Sequence, residues 1–95
     1  HKTMHVEIVS PEATLFSGEV TSVTVPGVDG EFQMLENHAP VVSLLQEGAV
    51  KLQGEIVIDE EHADKFSKGS TGETILTISS GTVEMKDNKV IVLAD

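Results

Sequence analysis

The sequence predicts an all-β fold, a flattened sandwich or barrel of about ten short strands, on three observations. Apolar residues make up 39% of the chain and are mostly Val, Ile, Leu and Ala, with three Phe and no Trp or Tyr, so the core must be built from branched aliphatics, which favour strands. The apolar runs are short and keep a period of two, and no helical period is sustained over several turns. Gly, Pro, Asp and Asn punctuate the runs at strand-length intervals. A length of 95 residues suits one core, so residues 1–95 are expected to form one domain without a C-terminal helical hairpin.

Each element has its own reason. Met4 to Val9 alternates, with Met4, Val6 and Ile8 on one face and His5 and Glu7 on the other, as in a sheet wetted on one side. Ala13 to Phe16 and Glu19 to Val25 are the next apolar runs. Pro26 presets φ and Gly27 accepts positive φ, and Asp29-Gly30 can close a tight reversal into a strand from Glu31 to Leu35. Val41 to Leu45, Ala49 to Gln53 and Glu55 to Ile58 follow, then Thr74 to Ser79, Thr82 to Lys86 and Lys89 to Ala94, with Asp87-Asn88 as the turn between the last two. Val90-Ile91-Val92-Leu93-Ala94 does not alternate, so this strand is either covered on both faces or lies against a partner. Asp59 to Gly72 combines six charged residues with Gly69-Ser70-Thr71-Gly72 and is expected to be an exposed, mobile loop excursion. A single helical turn around His62 to Phe66 is the alternative.

Sixteen Asp and Glu against six Lys and Arg give a net charge of -10, which repels nucleic acid and anionic lipid and favours a basic protein surface. Three aromatic residues supply no stacking platform for single strands. Without cysteine there is no disulfide, thiolate metal site or cysteine nucleophile, and a reducing compartment is permitted. The opening His1-Lys2-Thr3-Met4-His5 lacks an apolar signal core, and a start at His1 is expected to reflect trimming of the N-terminus. No apolar run approaches the ~20 residues of a spanning helix, so any membrane association is expected to go through a partner.

Catalytic patterns are missing from the sequence. His1, His5, His38 and His62 stand at no metal-ligand spacing, so no metal is expected; a sandwich gathering distant histidines around a metal would be the enzyme alternative. The glycines fall singly at strand ends and open no phosphate loop into a helix, and no serine sits in a nucleophile elbow, so neither a cofactor nor a small-molecule ligand is expected.

Gly30-Glu31-Phe32-Gln33-Met34-Leu35-Glu36-Asn37-His38-Ala39-Pro40 resembles the motif of the epsilon subunit of F-type ATP synthases, with its Gly-Glu start and closing His-Ala-Pro. Ile8-Val9-Ser10-Pro11-Glu12, Leu15-Phe16-Ser17-Gly18, Val25-Pro26-Gly27 and Leu45 through Gly48 reinforce it. Ser80-Gly81-Thr82-Val83-Glu84 and Asn88 through Asp95 resemble that family's closing strands in order and spacing. The likeness covers Met4 to Ile58 and Glu73 to Asp95. The chain departs from the family in Ser80-Gly81-Thr82, in the longer Asp59 to Gly72 connection, and in stopping at Asp95, where many relatives continue into a two-helix C-terminal domain.

The resemblance implies a β-sandwich without catalytic activity, held in the central stalk between the gamma subunit and the c-ring and coupling proton transport to ATP synthesis. It implies a place on the cytoplasmic face of the inner membrane, peripheral through the complex. It also implies that Glu31, expected at a loop tip, faces the c-ring, and that Ser10, His38, Ala39 and Pro40 face gamma. The plainer readings are a solvated carboxylate for Glu31 and, for His38, a histidine satisfying loop backbone groups beside Pro40. Interfaces of permanent complexes are apolar, so part of the aliphatic excess is expected outside the core. The rival reading is a free-standing acidic β-sandwich module that binds some other protein.

Overall fold

A computed structural model describes residues 3–95. Ten strands form, nine of them at or close to the expected places and β7 where none is expected: β1 (Met4–Val9), β2 (Thr14–Val20), β3 (Ser22–Gly27), β4 (Gly30–Leu35), β5 (Val41–Leu45), β6 (Gly48–Gln53), β7 (Phe66–Lys68), β8 (Thr74–Ile78), β9 (Gly81–Lys86) and β10 (Lys89–Ala94). β1 buries Met4, Val6 and Ile8 and leaves His5, Glu7 and Val9 half-buried on its other face, so its alternation is the one the sequence predicts.

Hydrogen-bonded neighbours run β2-β1-β10-β9-β5-β3-β6-β8-β7, with β4 on the other edge of β3. All pairs are antiparallel except β1 with β10, the first and last strands, which lie parallel in register from His5↔Lys89 to Val9↔Leu93. Between β5 and β3 a single residue pair, Gly27↔Leu45, carries the sheet across. The sheet folds over at that narrow point, so β2-β1-β10-β9-β5 makes one layer of a curled sandwich and β4-β3-β6-β8-β7 the other. The aliphatic core lies between the layers, with Ile8, Met34, Leu52, Met85 and Val92 all but fully buried.

Three expectations need correction. The chain does not break within Ala13 to Val25 where expected: β2 continues through Gly18 to Val20, and the corner falls at Thr21. Gly18 lies opposite Val6 and leaves room for the Phe16 ring, while the Thr21 N–H and hydroxyl both donate to the Gln53 carbonyl, at 2.7 and 3.1 Å, and pull the chain across to β6. Glu55 to Ile58 is not a strand. Its side chains do alternate, with Ile56 and Ile58 packed on the core and Val57 86% exposed, but the β6 ladder has ended and no neighbouring strand takes it up.

The Asp59 to Gly72 excursion is not simply a loop. Asp59 accepts a hydrogen bond from the Glu61 N–H at 3.1 Å and starts a 3-10 helix, Glu60–Lys65, with Glu60 and Glu61 in its first turn and Lys65 in its last, as the helix dipole favours. Phe66 then packs on the core and opens β7, which pairs with β8. In β10 the alternation is real despite the uniform apolar sequence: Val90, Val92 and Ala94 are buried, Ile91 is half-buried, and Leu93 is 50% exposed.

Candidate functional site

The residues singled out in the sequence sit on two strand ends and one loop. Val28 and Asp29 turn the chain between β3 and β4, and Gly30, at φ 124°, takes a backbone conformation that other residues avoid. Glu31 follows inside β4, opposite Pro26, so it lies one step behind the loop tip. Its carboxylate is 3.3 Å from the Lys51 ammonium on β6. Both side chains are substantially exposed, and such a pair contributes at most about 1 kcal/mol.

His38, Ala39 and Pro40 are exposed in the β4–β5 loop. The loop turns at Asn37, which has φ 64°, and the His38 N–H donates to the Leu35 carbonyl at 3.1 Å. His38 Nδ1 lies 2.8 Å from the Ala39 carbonyl, an acceptor, so Nδ1 donates this hydrogen bond. This satisfies loop backbone and presents a fixed imidazole edge at once. Asn88 organises the region from outside it: its side-chain oxygen accepts from the Asn37 N–H at 2.8 Å and its amide donates to the Thr3 carbonyl at 3.0 Å. Sequence reading assigned Asn88 only to the Asp87-Asn88 turn, where positive φ at both residues bears that out.

Glu31 and His38 line the same shallow depression, floored by Phe32, Val41 and Val42. Ser10 is not brought to it. Ser10 closes the β1–β2 turn by exchanging backbone hydrogen bonds with Ala13, at 2.8 and 3.3 Å, and lines a separate depression with Glu12, Leu15 and Lys65.

Strand register shows a larger feature that the residue-by-residue reading missed. Val9, Leu93, Thr82 and Leu44 form one cross-strand row on the outer face of the β1-β10-β9-β5 layer, and Glu7, Ile91, Glu84 and Val42 form the next. Val28 extends the first row, because its N–H donates to the Leu44 carbonyl at 3.1 Å. Val42 is 73% exposed and Leu44 63%, and with Leu93 and Val28 they make an outward apolar strip on a chain of charge -10. In the sequence the signals are the unbroken apolar run of β10 and, interrupted by Ser43, the run Val41-Val42-Ser43-Leu44-Leu45 of β5.

Beside the strip, His5 lies between Glu7 at 3.3 Å and Glu19 at 3.5 Å, and Glu19 accepts from Thr3 at 2.8 Å. Among the described residues no group of three or more His, Asp or Glu is placed to hold a metal ion. No described helix is long and apolar enough to cross a membrane.

A small curled sandwich that turns an apolar strip outward on one layer belongs to the class of all-β interaction domains, since such exposed patches mark contact sites. The chain belongs to the ATP synthase delta/epsilon chain family, matching its β-sandwich domain over residues 3–95. It is 38% identical over 92 residues to the ATP synthase epsilon chain of Campylobacter curvus, covering 97% of this chain and 60% of that one. It is 36% identical over 94 residues to the epsilon chain of Chlorobium limicola, covering 99% of this chain and 91% of that one. The chain spans about 60% of the length of several of these curated relatives. Among solved structures, a chain of the Euglena gracilis mitochondrial ATP synthase (OSCP, F1 and c-ring) shares the fold at TM-score 0.72 and 17% identity, over 97% of this chain and 50% of that one. A chain of the Tetrahymena thermophila mitochondrial ATP synthase central stalk and c-ring does so at 0.66 and 14%, over 96% and 62%.

Proposed function

We propose that this chain is the sandwich portion of a central-stalk subunit in the F1 part of a proton-translocating F-type ATP synthase. In this reading it links gamma to the c-ring, couples proton transport to ATP synthesis and performs no catalysis of its own. It would sit on the cytoplasmic face of the inner membrane, peripheral through the complex. Family membership supports the reading, and one observation in the chain itself carries it: the apolar strip of Val28, Val42, Leu44 and Leu93 on an otherwise strongly acidic protein. A free monomer gains nothing from that strip, whereas a permanent neighbour would cover it.

The strip, flanked by His38 to Pro40 at one end and Ser10 at the other, is the surface we assign to gamma. Glu31 faces the c-ring in this assignment. A stiff body with separate adhesive regions is what torque transmission requires, and interlocked branched side chains supply the stiffness.

The test is reconstitution of the full-length subunit with gamma and c-ring, followed by proton-coupled ATP synthesis. The reading expects Leu44→Asp together with Leu93→Asp to abolish co-purification with gamma while the domain stays folded. Undiminished assembly and coupling would sink it, and recovery of the native chain only with unrelated proteins would favour the free-standing acidic module.

A further inference from the structure

β2 and β7 end the strand order, so each leaves one edge without a strand, and residues 54–65 run through the space between those edges. Three contacts fix the path. At one end Thr21 donates twice to the Gln53 carbonyl, and Gly54 packs so closely that a Cβ there would lie 3.1 Å from the Thr21 nitrogen. Midway, Val57 and Asp59 form one wall of a depression whose other wall is Thr14 to Ser17 of β2. At the far end Lys65 lines a second depression with Ser10, Leu15 and Ile78. The segment therefore runs antiparallel to β2, in the position a further strand would take.

It is held there differently from a strand. Among the described residues no backbone hydrogen bond joins residues 55–58 to β2, and the 3-10 helix buries none of its residues. The attachment is Ile56, Ile58 and Phe66 against the core. Beside it, Leu15 and Phe16 are consecutive in β2 and both buried, a break in the period-two pattern at the place where the segment passes.

We propose that residues 54–65 are a strap that seals the β2–β7 seam by side-chain contact alone and opens as a unit while both layers stay folded. Opening gives up a few partly buried apolar contacts, whereas separating any pair of strands in the layers also breaks a ladder of hydrogen bonds, so the strap belongs to the low-stability end of the molecule. When open it uncovers Leu15 and the unpaired N–H and C=O groups along the edge of β2, which the closed strap keeps from pairing with another chain.

The absence of cysteine allows single-thiol probes in the full chain. Leu15→Cys reports on the space beside the strap, and Val92→Cys, at a fully buried position of β10, reports on global unfolding. Leu15→Cys is expected to react with a thiol reagent on the order of a hundredfold faster than Val92→Cys, with a rate insensitive to mild denaturant. Adding Ile56→Ser with Ile58→Ser should speed Leu15→Cys by about another tenfold and Val92→Cys by a similar factor, because these contacts are lost in strap opening and in global unfolding alike, so the gap between the probes persists. Equal rates for the two probes with parallel denaturant dependence, or a double substitution that leaves Leu15→Cys unmoved, would overturn the strap. If Leu15→Cys does not fold, amide exchange across β2 against that across β10, with and without the Ile56 and Ile58 changes, makes the same comparison.

Discussion

Single residues on this surface divide into those that hold the fold and those that only face outward, and the division sets what a substitution costs. Leu44 is outward on β5, so Leu44→Asp should change the stability of the isolated domain by no more than about 0.5 kcal/mol. On the proposed function it should weaken gamma binding at least about tenfold, or about 1.4 kcal/mol, by titration calorimetry with purified gamma. Glu31→Lys removes the contact with Lys51 and places like charges together, which should cost at most about 1 kcal/mol because both groups are well exposed. Its effect on c-ring attachment should shrink as salt rises from 50 mM to 500 mM, since exposed charges are screened.

Glu73 offers a pH test. The Thr71 hydroxyl donates to its carboxylate at 2.6 Å and holds its pKa below the ordinary value of 4.5. A lowered folded-state pKa means that the ionised carboxylate steadies the Gly69 to Glu73 turn at higher pH, and that this support disappears as pH falls through the lowered value. Side-chain NMR titration should place Glu73 below the ordinary glutamate value of 4.5, and Thr71→Val should move it back toward that value.

At the level of strands and turns, most of the architecture was legible because local chemistry and global fold agree. The Asp29-Gly30 and Asp87-Asn88 reversals, the alternation of β1 and the aliphatic runs of β6 and β8 each name their own structure. Glu55 to Ile58 was misread because alternation records only which side chains are buried; it cannot say whether a neighbouring backbone is available, and here none is. β7 was missed for the converse reason: Phe66-Ser67-Lys68 is too short and polar to announce a strand, and its pairing with β8 decides it.

Two substitutions test the elements. Met34 is the one buried residue of β4, so Met34→Ala should cost about 2–5 kcal/mol in denaturant unfolding, the range for emptying a core site. Gly81, paired with Ala94, lies so close to the Leu93 carbonyl that an added Cβ would overlap it. Gly81→Ala should therefore prise β9 from β10 and lower the melting temperature by several degrees, about 4–8 °C per kcal/mol for a domain of this size.

For the molecule as a whole, the family motif names residues one at a time and does not name the apolar surface beside them. Glu31 and His38 share a depression as their place in one motif implies, yet the outward apolar strip comes from four separate segments, Val28, Val42 to Leu44, Thr82 and Leu93, aligned only by strand register. A single sequence carries no record of register, so the strip could not be assembled from it. The net charge of -10 was legible at once, and it gives the strip its meaning, because so acidic a shell would disfavour self-association through that face.

The parallel pairing of β1 with β10 also sets a timetable. On a ribosome the first strand emerges early and can pair with β2, but its other edge must wait for the last strand, and β9 and β1 have no shared neighbour until β10 arrives between them. The layer containing the strip can close only when nearly the whole domain has been synthesised. Contacts of such long sequence separation place refolding in the millisecond-to-second range of sheet proteins. Deleting residues 89–95 should leave a chain that collapses without ever completing that layer, a result that circular dichroism and dye binding would reveal together.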